Sequence, residues 1–373
     1  MPIDFTTLAN PAMRNLQAYD PGHDIPALRR LYADGGGLLE LGSNENCYGP
    51  SPLVATGLQD ELDTLFRYPD PAGKALKQAV SEKLGIPVES IALGNGSHEL
   101  LMQLAQVFAT PEDDVLVSRY CFAVYPIAAR AAGARLVTVE ANPPDHAMPL
   151  GHDPDALLAG ISANTKMVCF ANPNNPTGTW FSFDRLARFL AAVPENVLVV
   201  VDEAYIEYAT DPEIRSALTL IGDHPNLIVT RTFSKAYGLA GLRAGFAVAH
   251  PDIIKLMEPI RESFNLNAIA LQAARLALSD EPHLDKVRAG NAIERDWMRA
   301  RLADLGVEVL PSQTNFVLAR FGVRTAAIEN ALFRRGVMVR PMSGYGLGDH
   351  LRITLASRVE NQRFIDTLEE VMA

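Results

Sequence analysis

The residues best equipped for chemistry lie at 230–245, Thr-Arg-Thr-Phe-Ser-Lys-Ala-Tyr-Gly-Leu-Ala-Gly-Leu-Arg-Ala-Gly. Lys235 follows an apolar run (227–229) and two hydroxyl residues, Thr232 and Ser234, and Arg243 stands eight residues further on. A lysine at the end of a buried strand, beside small residues and a second cation, has its ammonium form disfavoured and can serve as an amine nucleophile. Taken alone, the same residues also describe a surface lysine in a turn. Its neighbours in space decide between the two.

Three other polar clusters follow apolar runs in the same way. Asp202 ends the run 197–201, with Tyr205 three residues on. A carboxylate there is costly unless it meets a cation or hydrogen-bond donors, a helix cap being the plainer use. Residues 172–178, Asn-Pro-Asn-Asn-Pro-Thr-Gly, form a loop stiffened by two prolines, with Asn175 held extended before Pro176. Gly94-Asn95-Gly96-Ser97-His98 joins a strand to a helix, where backbone N–H groups make an anion site. It fails as a dinucleotide fingerprint because Glu99 stands where the third glycine belongs.

The elements that must position these clusters can be read from the apolar runs. Residues 90–93, 115–117, 136–139, 167–171, 197–201 and 227–229 are short and β-branched, and helical patterns such as 99–108 separate them. Continuous runs of this kind fit strands buried on both faces, hence an α/β fold with a mostly parallel sheet. Ligands bind such sheets outside the carboxyl ends of the strands, so the four clusters are read as one site. From about residue 255 the pattern changes. A long helical stretch (269–305) leads to segments at 307–310, 315–319, 328–335 and 351–355, and mixed short strands and helices at that spacing predict a smaller α+β domain. The expected division is an irregular arm over 1–45 that packs with the small domain, a large domain over 46–265 and the small domain over 266–373.

Bulk properties exclude several classes. With 33 basic against 44 acidic residues the net charge is −11, without a basic block, which argues against nucleic acid or an anionic membrane as partner. Cys47, Cys121 and Cys169 form no CxxC pair. They point to a reducing compartment and to neither zinc nor a disulfide framework. No secretory leader and no membrane span is visible, so the expected location is the cytoplasm. The histidines show no metal-ligand spacing.

Together the four clusters resemble the fold-type-I pyridoxal-phosphate (PLP) aminotransferases, and more narrowly the histidinol-phosphate aminotransferase family. The likeness runs through Asn44-Glu45-Asn46, Arg67-Tyr68-Pro69-Asp70, residues 93–97, 172–178, 201–205 and 232–245, Ser263-Phe264-Asn265 and Arg352-Ile353-Thr354. It implies a large domain built on a seven-stranded sheet, a PLP cofactor and two ping-pong half-reactions. In them glutamate donates an amino group that passes to imidazole-acetol phosphate, giving L-histidinol phosphate in histidine biosynthesis.

The resemblance also implies roles. Lys235 would hold the cofactor as a Schiff base and then move protons, and Asp202 would pair with the pyridine nitrogen. Asn175 and Tyr205 would bond the phenolic oxygen, and Phe122 would stack on the ring. Arg243, Ser234, Thr232 and the backbone at Ser97 and His98 would cradle the phosphate. Tyr68 would come from the neighbouring subunit of a homodimer. Arg352 would bind the substrate's carboxylate or phosphate, supported by Tyr19, Asn46 and Arg340.

The chain departs from the family pattern at Cys47, where proline is usual, at His98, which replaces an acidic or amide residue, and after Arg352, where a common glycine is missing. An aromatic amino-acid aminotransferase, a decarboxylase of phosphorylated amino acids and a nucleotide-binding protein are the competing readings.

Overall fold

The computed structural model describes residues 3–20, 22–33 and 37–373. With strands numbered along the chain, Leu39–Leu41 is β1, Ile91–Gly94 β2, Asp114–Ser118 β3, Arg135–Val139 β4, Thr165–Ala171 β5 and Leu198–Asp202 β6. Leu227–Thr232 is β7, Gly245–Val248 β8, Glu308–Val309 β9, Phe316–Arg320 β10, Val337–Met342 β11 and Leu347–Thr354 β12. They form a seven-stranded sheet of order β2-β8-β7-β6-β5-β3-β4 and a five-stranded sheet of order β1-β11-β12-β10-β9.

The large sheet is α/β and mostly parallel, as expected, and β8 alone runs antiparallel to its neighbours. Alternate residues of one strand feed opposite cores. Val199 and Val201 join one apolar cluster while Val200 joins another, and Phe170 and Cys169 divide in the same way. Burial on both faces is why these strands read as unbroken apolar runs rather than alternating ones. A third core lies against the small sheet, where Leu41, Val317, Val339 and Ile353 meet Met298 and Leu302. The helix Glu281–Asp304 reaches both sheets, because its Leu284 and Val287 belong to a core of the large one.

Several expectations need correction. The stretch 269–305 is two helices, Ala268–Ser279 and Glu281–Asp304, divided at Asp280, which caps the second by accepting from His283 N–H. Residues 1–45 are not irregular throughout: they hold the helix Ile25–Leu31, two single turns and β1, which pairs with β11 in parallel. β8 and β11 were not expected as strands; β8 is only 4 residues long, and both have their places fixed by their partners.

Candidate active site

At the polar edge of the large sheet, Gly94 pairs with Gly245 and Gly245 with Thr232, which brings β2, β8 and β7 into register. The helix Ser97–Phe108 starts directly beyond β2 without a side-chain cap, so its first N–H groups face the site. Glycine is required on both sides of that terminus. A Cβ on Gly96, whose φ is +84°, would lie 2.6 Å from the Arg243 guanidinium, and one on Gly245 would lie 2.6 Å from the Ser97 amide nitrogen. Arg243 donates to Ser234 Oγ at 3.1 Å. Thr232 Oγ1 accepts from Ser234 N–H at 3.1 Å and fixes the turn that presents that hydroxyl. His98 is held below the usual imidazole range by burial and then by Arg243. Ser97, His98, Thr232, Ser234 and Arg243 thus come together around an anion-binding cradle of helix terminus, hydroxyl and guanidinium.

Next to the cradle stand Asp202 and Lys235. Asp202 is buried at the end of β6, where its oxygens accept from Tyr125 OH at 3.0 Å and Ala204 N–H at 3.2 Å. Burial pushes its carboxyl up to about 6. A carboxylate so placed, short of a cation, suits a protonated ring nitrogen. Lys235 donates to the carbonyls of Ser43 and Asn44 at 3.2 and 3.3 Å and lies 5.8 Å from the centre of the Tyr205 ring. Burial, then the charge of Arg352, lowers its amine to about 8. Tyr205 is buried, accepts from the Asn44 side-chain amide at 2.9 Å and has its hydroxyl pKa raised by burial.

The mouth of the site comes from the small sheet and the arm. Arg352 is buried on β12, donating to Asn175 Oδ1 at 2.7 Å and to the Gly42 carbonyl at 2.6 Å, while its Nε has no partner. Among the described residues no carboxylate forms an ion pair with it. Arg340 lies directly across from it on β11. Tyr19 sets its ring edge-on to His98 and Phe122 at 6.0 and 6.1 Å, and Phe122 leans on Tyr125.

Two expected residues stand apart. Asn46 binds the Ala236 carbonyl and the Tyr48 N–H and so braces its own loop. Tyr68 is 81% exposed and stacks on Phe264 at 4.5 Å. Sequence reading missed Asn44, which holds Tyr205 and Thr354 and carries a φ of 55°. It also missed Tyr125. Asn44 stood within a motif already singled out; Tyr125 carried no signal beyond closing the run Cys121-Phe122-Ala123-Val124-Tyr125 that holds Phe122.

The model of the "Aminotransferase class I and II" family matches residues 37–368. A histidinol-phosphate aminotransferase of Nitrosococcus oceani is 44% identical over 371 residues, covering 99% of this chain and 98% of that one. The chain belongs to the histidinol-phosphate aminotransferase family of class I and II aminotransferases. A second relative, from Pseudomonas fluorescens, carries the same name and is 42% identical over 371 residues, covering 99% of each chain. The crystal structure of a histidinol-phosphate aminotransferase from Sinorhizobium meliloti with pyridoxal-5'-phosphate superposes with a TM-score of 0.86 at 32% identity, covering 98% of this chain and 97% of that one. Among the described residues no helix is long and apolar enough to cross a membrane, and no cluster of candidate metal ligands occurs.

Proposed function

We propose that the chain is a pyridoxal-phosphate-dependent aminotransferase that interconverts L-histidinol phosphate and 2-oxoglutarate with imidazole-acetol phosphate and L-glutamate. The residues present suit the cofactor: the cradle for a phosphate, Asp202 for a cationic ring nitrogen and Lys235 for an aldehyde carbon. Pyridoxal phosphate, when bound, supplies the ring that takes up the electron pair released as the substrate Cα–H bond breaks.

The chain's own residues do the rest. Asp202, which pairs with no cation among the described residues and is raised to about 6 by burial, keeps a proton on the ring nitrogen. Lys235 Nζ, lowered to about 8, carries enough free amine near neutrality to accept the Cα proton and return it. Asn44 fixes the Tyr205 hydroxyl and Arg352 fixes the Asn175 side-chain oxygen, and both residues would bond the cofactor's phenolic oxygen. Phe122, packed edge-on against Tyr19 and Tyr125, would stack on the cofactor ring.

The observation that carries the substrate assignment is the pair Arg352 and Arg340, two cations across from one another at a mouth where Arg352 has no anion of its own. A phosphate dianion suits such a pair. Measuring kcat/KM for L-histidinol phosphate and L-phenylalanine tests it. The phosphate ester is expected to win, and a clear preference for phenylalanine would make the enzyme an aromatic aminotransferase. Release of CO2 would make it a decarboxylase.

We also infer a homodimer in the cytoplasm. Leu65, Phe66 and Tyr68 form an exposed apolar row beside a groove lined by Arg67 and Arg275, a surface suited to a second copy whose site Tyr68 would complete. Three free thiols agree with a reducing location. The units of the chain follow the two sheets, with the arm joined to the small one through β1.

A further inference from the structure

We propose that Asp20 determines specificity by occupying the Arg340 guanidinium as an internal stand-in for the substrate's phosphate. The inference rests on the reading that Arg340 and Arg352 form the substrate-anion site. Arg340 Nη2 donates to the Asp20 backbone carbonyl at 2.8 Å and to its carboxylate at 3.0 Å. The backbone is shaped for this approach. Gly22 has a φ of +92°, and a Cβ there would lie 2.5 Å from Arg340 Nη1, so the chain passes against the guanidinium without a side chain between them. The residue before Asp20, Tyr19, rests on His98 and Phe122, which carries the arm from the small sheet to the cradle.

The two arginines therefore differ. Arg352 is buried and bound only to neutral oxygens, with one N–H unpartnered; Arg340 already has a carboxylate. Residues directly opposite on antiparallel strands place their Cβ atoms ~5 Å apart on one face, near enough for one phosphate to meet both. A carboxylate, with a single charge and two oxygens, is satisfied by the fork of Arg352. A phosphate has a second charge and further oxygens, and it gains by taking Arg340 from Asp20. Displacement is easy because the Asp20 side chain is 78% exposed and exposed pairs are weak. Asp20 thus keeps Arg340 neutralised until a dianion arrives.

The test is a single-turnover half-reaction with the full-length, cofactor-loaded enzyme, using L-histidinol phosphate or L-phenylalanine as amino donor. Wild type, Asp20→Asn, Arg340→Gln and the double variant are compared. Asp20→Asn should tighten the apparent Kd for histidinol phosphate by about two- to five-fold and leave that for phenylalanine in place, so that the ratio of the first to the second falls by the same factor. In the Arg340→Gln background the same change should do nothing. An unchanged ratio, an equal shift for both substrates, or an effect that survives loss of Arg340 would overturn the proposal. Should wild type prefer phenylalanine, the function reading fails instead. Inorganic phosphate then serves as the probe: its inhibition constant must fall in Asp20→Asn, and a constant that stays put overturns the inference.

Discussion

At the sheet end of the site, Gly94, Gly245 and Thr232 lie side by side on adjacent strands and Arg243, Ser234 and the helix terminus are locked to one another. At the mouth, Arg352, Arg340 and Tyr19 come from a second sheet and an arm, and one guanidinium N–H has no partner while another guanidinium is held by an exposed carboxylate. The first region is set by strand register, so it accepts one rigid group. The second is held by contacts that a ligand can replace, so it can receive a donor and then a different acceptor, as two half-reactions at one site demand. Fixed geometry suits the cofactor, and exchangeable geometry suits the substrates.

Substitutions at the two ends should separate them. The largest effect is expected at Asp202. Asp202→Asn should lower kcat by about 10²–10³-fold, since it removes a preorganised charge from beside the reacting ring. The same change should stabilise the cofactor-free protein. Asp202 has its carboxyl raised from 3.8 to about 6 by burial, so the folded state holds the proton more tightly than the unfolded one. Its contribution is present below pH 4 and lost as pH rises through 6. A shift of that size is on the order of 3 kcal/mol. Thermal melts of the cofactor-free protein should therefore show wild type losing stability between pH 4 and 6, and the variant losing less.

A smaller effect is expected at the mouth. Arg352→Lys keeps the charge but loses the fork that spans Asn175 and Gly42. It should cost about 10- to 100-fold in kcat/KM, mostly through KM, as expected for one charged hydrogen-bonded contact. Cofactor affinity should not change. A variant that lost cofactor instead would mean that the two ends are not separate.

This contrast also explains what the sequence made legible. The cofactor end was readable because each cluster follows an unbroken apolar strand, and strand ends in a parallel sheet share one edge. Lys235, Asp202 and the turn at Gly96 could be placed together from residue types and order alone. β8 was not, because Gly-Phe-Ala-Val is too short and mild a run to stand out, and its place depends on pairing with both β2 and β7. β1 and β11 escaped for the same reason: their parallel pairing joins residues about three hundred positions apart. The helix break at Asp280 was legible in principle, since Asp280 with Pro282 is a start signal. Asn46 was preferred to Asn44 because residue type cannot tell which of two asparagines turns inward; the left-handed backbone at Asn44 decides that. The bond from Tyr125 to Asp202 spans the fold and leaves no local trace.

Lys235 is the residue on which the chemistry of the site depends most directly. Borohydride treatment of the cofactor-loaded enzyme, followed by digestion and mass analysis, would fix any cofactor–lysine bond where it forms. The pyridoxyl mass is expected on the peptide that contains Lys235, and on no other. The same mass on a different lysine, or on none, would contradict it.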